Sequence, residues 1–228
     1  MTIVTGIRGL VLAVLCGPVA AVAAVPSLVE RLTEAAPSAD PAVLRLAAQA
    51  VACAEPHPSG RLAVIDYSRP SSEPRLWVFD LDRSALLHEE LVAHGRNTGE
   101  LHAQRFSNVP GSFASSLGLF RTLDPYYGRN GYSLRMQGLE PGYNDRAYER
   151  AIVIHGADYV TSSFIDRTGR LGRSLGCPAV RTEVARELID SLSGGQYLFA
   201  YYPDPGWLAD SRFVSCRSMA SGELPAAP

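Results

Sequence analysis

The sequence predicts a mainly β domain entered through short helices and carrying one late helix. Three observations lead there. Apolar runs of strand length recur from Leu62 onward, glycine, proline and serine turns separate them, and helical spacing is confined to the stretch after residue 25 and one stretch near the end. The chain has 228 residues, 46% hydrophobic and 19% charged, the balance of a folded domain with a sizeable core. A formal net charge of -2 leaves no basic surplus to neutralise phosphates, which argues against general nucleic-acid binding.

In chain order, residues 1–24 read as a secretory signal peptide. Arg8 is followed by an almost wholly apolar run from Leu10 to Val25, and small residues around Ala21-Val22-Ala23 suit a signal peptidase. Cys16 lies within that run behind Leu15, which is unlike a lipoprotein cysteine. After cleavage no stable membrane span is expected, and the mature protein is expected outside the cytoplasm, in the periplasm or cell wall. Residues 25–60 form a helical lead-in. One helix is expected from about Ser27 to Ala35. A second is capped by Asp40, with Pro41 in its first turn, and carries a stripe of Val43, Leu44, Leu46, Ala47, Ala50 and Val51. The run Glu55 to Gly60 ends it.

Residues 61–204 then read as the β domain. Leu62–Tyr67, Leu76–Leu81 and Leu86–Ala93 are expected strands, followed by strand-like pieces at Phe113–Leu119, Ser133–Leu139 and Ala151–Ile154. Tyr126 to Tyr132 reads as an aromatic, glycine-rich turn, packing the loop rather than walling a substrate. Thr182 is the expected cap of a helix over Glu183–Leu192 that Gly194-Gly195 terminates, and Tyr197–Tyr202 is the last strand. Residues 205–228 read as a C-terminal tail.

Removing the leader leaves Cys53, Cys177 and Cys216. An odd number in an exported protein suggests one pair and one free thiol. Cys53 and Cys216, near the two ends of the mature chain, are the natural pair, and Cys177 is left free. A thiol kept free in an oxidising compartment suggests a use for it. The stretch Ala151 to Val180 supplies one. The apolar strand Ile152-Val153-Ile154 delivers His155, followed by Gly156, and Cys177 lies later in Gly172-Arg173-Ser174-Leu175-Gly176-Cys177-Pro178. Small residues around a cysteine make a tight turn whose amides can hold a developing oxyanion, and a nearby imidazole can take the thiol proton. Taken singly, a buried cysteine or a histidine at a strand end has an ordinary structural explanation. No cofactor is expected. No metal is expected either, since His88, His94 and His102 are spaced too loosely for a zinc motif.

His155-Gly156 followed by Ser174-Leu175-Gly176-Cys177 resembles the signature of YkuD-like L,D-transpeptidases. The fuller set is similar to the murein L,D-transpeptidase catalytic domain family. It comprises His94-Gly95-Arg96-Asn97-Thr98-Gly99, Phe106-Ser107-Asn108, Ser115-Ser116-Leu117-Gly118, Tyr132-Ser133-Leu134, Ile152 to Gly156 and Gly172 to Val180. The resemblance runs from about Leu62 to Tyr202. It implies a β-sandwich or barrel catalytic domain and cysteine acyl transfer on peptidoglycan stem tetrapeptides. Terminal D-alanine would leave, and the thioester would pass to an amine as a 3→3 cross-link or to water. Carried onto this chain, Cys177 is the nucleophile, His155 the base, and the Gly156 carbonyl orients the imidazole. The Gly176 and Cys177 amides form the oxyanion hole, Ser174 shapes the turn or contacts substrate, and Arg173 is a candidate partner for a stem carboxylate. Two positions depart from the wider clan, Leu175 where it has histidine and Ala179 where it has arginine, which bears on substrate and acceptor preference. The alternatives are a different cysteine cell-wall endopeptidase and a non-catalytic wall-binding domain.

Overall fold

A computed structural model describes residues 26–54 and 60–216. The expected signal peptide and the chain beyond residue 216 lie outside the described residues. Helix α1, Leu28–Ala35, starts at Ser27 with a reciprocal capping box: Glu30 N–H donates to Ser27 Oγ and Ser27 N–H to Glu30 Oε2. Helix α2, Pro41–Ala52, starts at Asp40, whose carboxylate accepts the Ala42 amide. Its face of Val43, Leu44, Ala47 and Val51 is buried in the main core.

Eight strands form one sheet: β1 Arg61–Asp66, β2 Leu76–Asp80, β3 Ala85–Glu90, β4 Gly118–Gly128, β5 Gly131–Gly138, β6 Val153–Gly156, β7 Ala179–Val180 and β8 Tyr197–Tyr201. Their order is β3-β2-β1-β8-β4-β5-β6-β7. β1–β8 and β6–β7 are parallel, the other pairs antiparallel. The ends of that row almost meet. Past β3 the chain reaches Ala93, whose N–H donates to the Ala179 carbonyl at 2.8 Å, so the sheet is a nearly closed barrel. β1 and β2 are covered on both faces, which explains their unbroken apolar runs.

Four further helices complete the fold: α3 Ser162–Thr168, α4 Thr182–Leu192, α5 Pro205–Asp210 and α6 Arg212–Ser215. α4 lays Ala185, Leu188, Ile189 and Leu192 on the core. Cys53 and Cys216 are bonded, with Cα atoms 6.3 Å apart, tying the end of α2 to the chain beyond α6. Gln49 Nε2 reinforces that seam by donating to the carbonyls of Val214 and Cys216.

The structure departs from the sequence reading at several places. Residues 113–117 are loop, and the strand begins only at Gly118; Ser115 and Ser116 spend their polar groups on loop contacts instead of a ladder. The Tyr126–Tyr132 stretch is strand down to Gly128 and again from Gly131, so the turn is two residues long, with φ +73° at Gly131. Tyr127 and Tyr132 pair across it and grip α4. Tyr127 accepts from Arg186 Nη2, and Tyr132 donates to Asp190. Thr182 is not the cap of α4. Arg181 holds that position, its guanidinium fixed on Glu90 at 2.6 and 2.8 Å, and Thr182 is the first helical residue. The stretch after residue 204 folds as α5 and α6 and sends Trp207 fully into the core beside Phe199.

Glu140 anchors that last segment. Buried in the β5–β6 connection, its carboxylate accepts the Leu119 amide at 2.6 Å and the Trp207 indole N–H at 2.8 Å. Asn144 accepts the Glu140 amide and donates to the carbonyls of Leu117 and Leu119. A Cβ at Gly118, where φ is +100°, would stand 2.3 Å from Glu140 Oε1, so glycine is required there. Glu140→Ala would strand two buried donors and is expected to cost about 2–6 kcal/mol, read as a lower urea midpoint by tryptophan fluorescence. Glu140→Gln, which keeps one acceptor, should lose less.

Candidate active site

Strand β6 is the platform of the site. Along it Ile154 faces the main core, while Val153 and His155 face the other side, as pleating requires. Its β7 neighbour is set so that His155 lies opposite Ala179, which places the Cys177 turn beside Val153. His155 is 5% exposed, and its Nδ1 lies 2.9 Å from the Gly156 carbonyl. Burial lowers its pKa, so the ring is neutral; Nδ1–H then donates to Gly156 and Nε2 is left as the basic atom. A Cβ at Gly156 would lie 2.9 Å from Ala185 Cβ, so this glycine admits helix α4.

Cys177 is the free cysteine and is 7% exposed. Its Sγ lies 3.5 Å from the Val153 amide and 3.6 Å from the Ala151 carbonyl. Burial pushes the thiol pKa up, while the Val153 N–H and the Arg150 charge pull it down. Ser174 shapes the turn: its hydroxyl donates to the Cys177 carbonyl at 2.6 Å and accepts the Gly176 amide at 3.1 Å. The Cys177 N–H, by contrast, has no protein acceptor among the described residues. Gly176 has φ +124°, and a Cβ there would meet the Ala114 carbonyl at 2.9 Å, so only glycine fits.

Arg173 is already engaged. Its Nη1 donates to Glu100 Oε1 at 2.6 Å and to the carbonyls of Arg96 and Gly99. With Arg96 and Arg105 it lines a cleft of about 560 Å³ on one side of the turn. On the Sγ side lies a second cleft, about 230 Å³, with Tyr126, Arg135, Tyr148 and the backbone from Ala151 to Val153 in its wall. Leu175, 56% exposed, projects from the turn itself.

Beneath the turn runs a buried polar network that sequence reading missed. The fully buried Arg75 donates to the carbonyls of Val92 and Arg69 and to His94 Nδ1 at 2.8 Å. His94 Nε2 in turn meets the Gly99 carbonyl, which fixes its tautomer. Burial, and next the Arg75 charge, drive the His94 pKa down to about 3. Arg75 also sits over the Tyr67 ring, and Tyr67 bonds Ser115, whose hydroxyl donates to the Gly176 carbonyl at 3.0 Å. The hydroxyl of Ser115 also accepts the Gly95 amide, so His94-Gly95 and Gly176-Cys177 are bound through one side chain.

Arg150 is a second residue the sequence gave no reason to single out. Its guanidinium bonds Ser107 O, Ser116 Oγ, Ser112 Oγ and Ala114 O, all neutral, and among the described residues no carboxylate pairs with it. It faces the thiol electrostatically together with Tyr67 and Tyr159, both of which burial holds neutral with pKa values near about 12. Among the described residues no group of three or more His, Cys, Asp and Glu side chains is placed to hold a metal ion.

Residues 35–201 match the sequence model of the L,D-transpeptidase catalytic domain. The chain belongs to the L,D-transpeptidase family. Members of this family act on peptidoglycan. Solved structures similar to this L,D-transpeptidase domain include an L,D-transpeptidase from Mycobacterium smegmatis, 13% identical over 63% of this chain and 59% of that one, TM-score 0.40. The helical cell shape determining protein of Campylobacter jejuni is 10% identical over 64% of this chain and 48% of its own, TM-score 0.41. L,D-transpeptidase 1 of Mycobacterium tuberculosis is 10% identical over 63% of this chain and 62% of its own, TM-score 0.36. The match thus spans less than two thirds of each of these chains. No curated protein sequence matches the chain.

Two outcomes follow from the electrostatics. An unfolded histidine titrates near 6.5 whereas native His94 titrates near about 3, so between these values the unfolded chain binds a proton that the native one refuses. Stability is therefore complete above pH 6.5 and falls as the pH drops toward 3, by at most about 1.4 kcal/mol per pH unit from this group; buried His155 adds to the same trend. Urea midpoints measured across that range should show the slope, and His94→Gln should flatten it. Arg150→Gln removes a charge that favours the thiolate, so iodoacetamide alkylation of Cys177 at pH 8 is expected to slow about tenfold.

Proposed function

We propose that this L,D-transpeptidase domain is a cysteine acyl transferase acting on peptidoglycan stem tetrapeptides, with Cys177 as nucleophile. The observation that carries this reading is the free, buried thiol on a glycine turn beside the strand that ends in His155, an imidazole whose Nδ1 is already held by the Gly156 carbonyl.

In the resting state both groups are neutral, since burial raises the thiol pKa and lowers that of the imidazole. Reaction therefore begins with proton transfer. The thiol exchanges its weak contact with the Ala151 carbonyl for His155 Nε2, and the sulfur attacks the carbonyl that joins the L-centre of the third stem residue to terminal D-alanine. The carbonyl π electrons move to oxygen, and the Cys177 amide is the turn's free donor for that oxyanion. Collapse breaks the C–N bond, D-alanine leaves with the proton from His155, and a thioester remains. An amine of a second stem then attacks, giving a 3→3 cross-link and regenerating the thiol; with water in its place the product is a carboxylate. Gly156, Ser174 and Gly176 position the two reacting groups and do no chemistry themselves. Arg173 walls the larger cleft, where a substrate carboxylate could compete with Glu100 for its guanidinium. The apolar leader over residues 1–24 supports export to the periplasm or cell wall, where this substrate lies.

The decisive test is intact mass of the mature protein incubated with purified disaccharide-tetrapeptide, beside Cys177→Ala, with released D-alanine assayed. An acyl adduct and D-alanine release that fall about a thousandfold or more in Cys177→Ala are expected. A folded protein with a free thiol that gives neither would overturn the reading, and release of a dipeptide in place of D-alanine would make it an endopeptidase.

A further inference from the structure

The smaller cleft lies against the nucleophile, and its residues are arranged by sheet register. Arg135 on β5 stands directly opposite Val153 on β6, and Ser133 stands opposite His155. Side chains opposite one another share a face, so Arg135, Val153 and His155 project from the same side of the sheet. Leu134 and Ile154, one position on, turn the other way into the main core. The backbone that floors the cleft, Ala151 to Val153, also touches Cys177 Sγ at both ends, through the Ala151 carbonyl and the Val153 amide. Arg135 thus borders the same space as the two residues, Ala151 and Val153, whose backbone contacts the Cys177 sulfur.

That space is about 230 Å³, room for a single amino-acid side chain and not for a second peptide. Tyr126 and Tyr148 wall it; Tyr148 is 58% exposed and so forms the rim. The Arg135 guanidinium sits over the Tyr126 ring, its central carbon 4.0 Å from the centroid. Stacking of this kind orients the planar fork and leaves its N–H edge for a partner. Among the described residues no carboxylate pairs with Arg135.

We propose that this cleft is the subsite for the side chain of the residue whose carbonyl Cys177 attacks, and that Arg135 selects a side chain ending in a free carboxylate. The proposal rests on the acyl-transfer reading above and adds the substrate class: stems whose third residue carries an anionic side-chain terminus, in preference to those ending in an amide. The aliphatic stem of such a side chain runs along Val153 between the tyrosine rings, and its carboxylate meets the guanidinium edge as a charge-assisted pair. Replacing the carboxylate by its carboxamide keeps the shape and removes the charge, so discrimination falls on Arg135 alone.

Binding can be measured without turnover, on Cys177→Ala, by calorimetry with two disaccharide-tetrapeptides. One carries diaminopimelate at the third position, and the other carries its side-chain carboxamide. The free carboxylate is expected to bind about tenfold to a hundredfold more tightly. In Cys177→Ala/Arg135→Gln the two peptides should bind equally, through loss of affinity for the carboxylate form. Equal affinities in Cys177→Ala, or a preference that survives Arg135→Gln, would overturn the subsite. The first comparison needs no change at Arg135 and stands even where the double variant does not fold. D-alanine release by the wild-type protein is scored separately. Release from both peptides with no preference between them rejects the subsite and leaves acyl transfer intact, whereas absence of release with a charge-dependent preference rejects acyl transfer and leaves the subsite.

Discussion

The closure of the sheet at Ala93 is the constraint on which the site depends. Two strand ends that are far apart in sequence, the continuation of β3 and the short β7, meet through the Ala93–Ala179 hydrogen bonds. The same seam continues backwards, where the Ser174 amide donates to the His94 carbonyl and the Arg96 amide to the Ser174 carbonyl. Together these contacts pin the chain on both sides of Cys177. A cysteine turn in an open loop would sample many conformations; here its start and end are both fixed by backbone bonds to one neighbouring segment.

Sealing the seam requires glycine where two backbones nearly touch. A Cβ at Gly95 would lie 2.5 Å from the Phe113 carbonyl and 2.8 Å from Gly176 Cα. Ser115 fills the remaining polar demand by bonding the Gly95 amide, the Gly176 carbonyl and, through Tyr67, the buried Arg75. Arg75 is a buried cation held by carbonyl oxygens and a neutral imidazole, an arrangement that tolerates little change because all three of its side-chain nitrogens are engaged. The motif residues His94, Gly95 and Ser115, which resemblance attached to the family, therefore support the Cys177 turn from below. His94 has both ring nitrogens engaged, whereas His155 has only Nδ1 engaged among the described residues.

Charge is distributed around the thiol with the same economy. Two tyrosines held neutral and one guanidinium without a carboxylate partner among the described residues face it. Burial raises the thiol pKa, and a thiol kept protonated is less exposed to oxidation than a thiolate.

Local sequence determined much of this molecule. Asp40 with Pro41 announced the second leading helix, because capping is short-range chemistry. Apolar runs gave most strands, cysteine parity gave the Cys53–Cys216 bond and the free Cys177, and the glycine turn marked where that thiol would be displayed. What the sequence could not reveal is which distant residues share a face or a loop. Arg135 lies in an expected strand, but its place opposite Val153 is a matter of register, which no local pattern fixes. Arg150 carries no motif and acquires its position from four loop oxygens between residues 107 and 116. Cys177 and His155 were marked by local chemistry; the cations around the thiol were decided only by tertiary structure, because strand pairing and sheet closure set their distances.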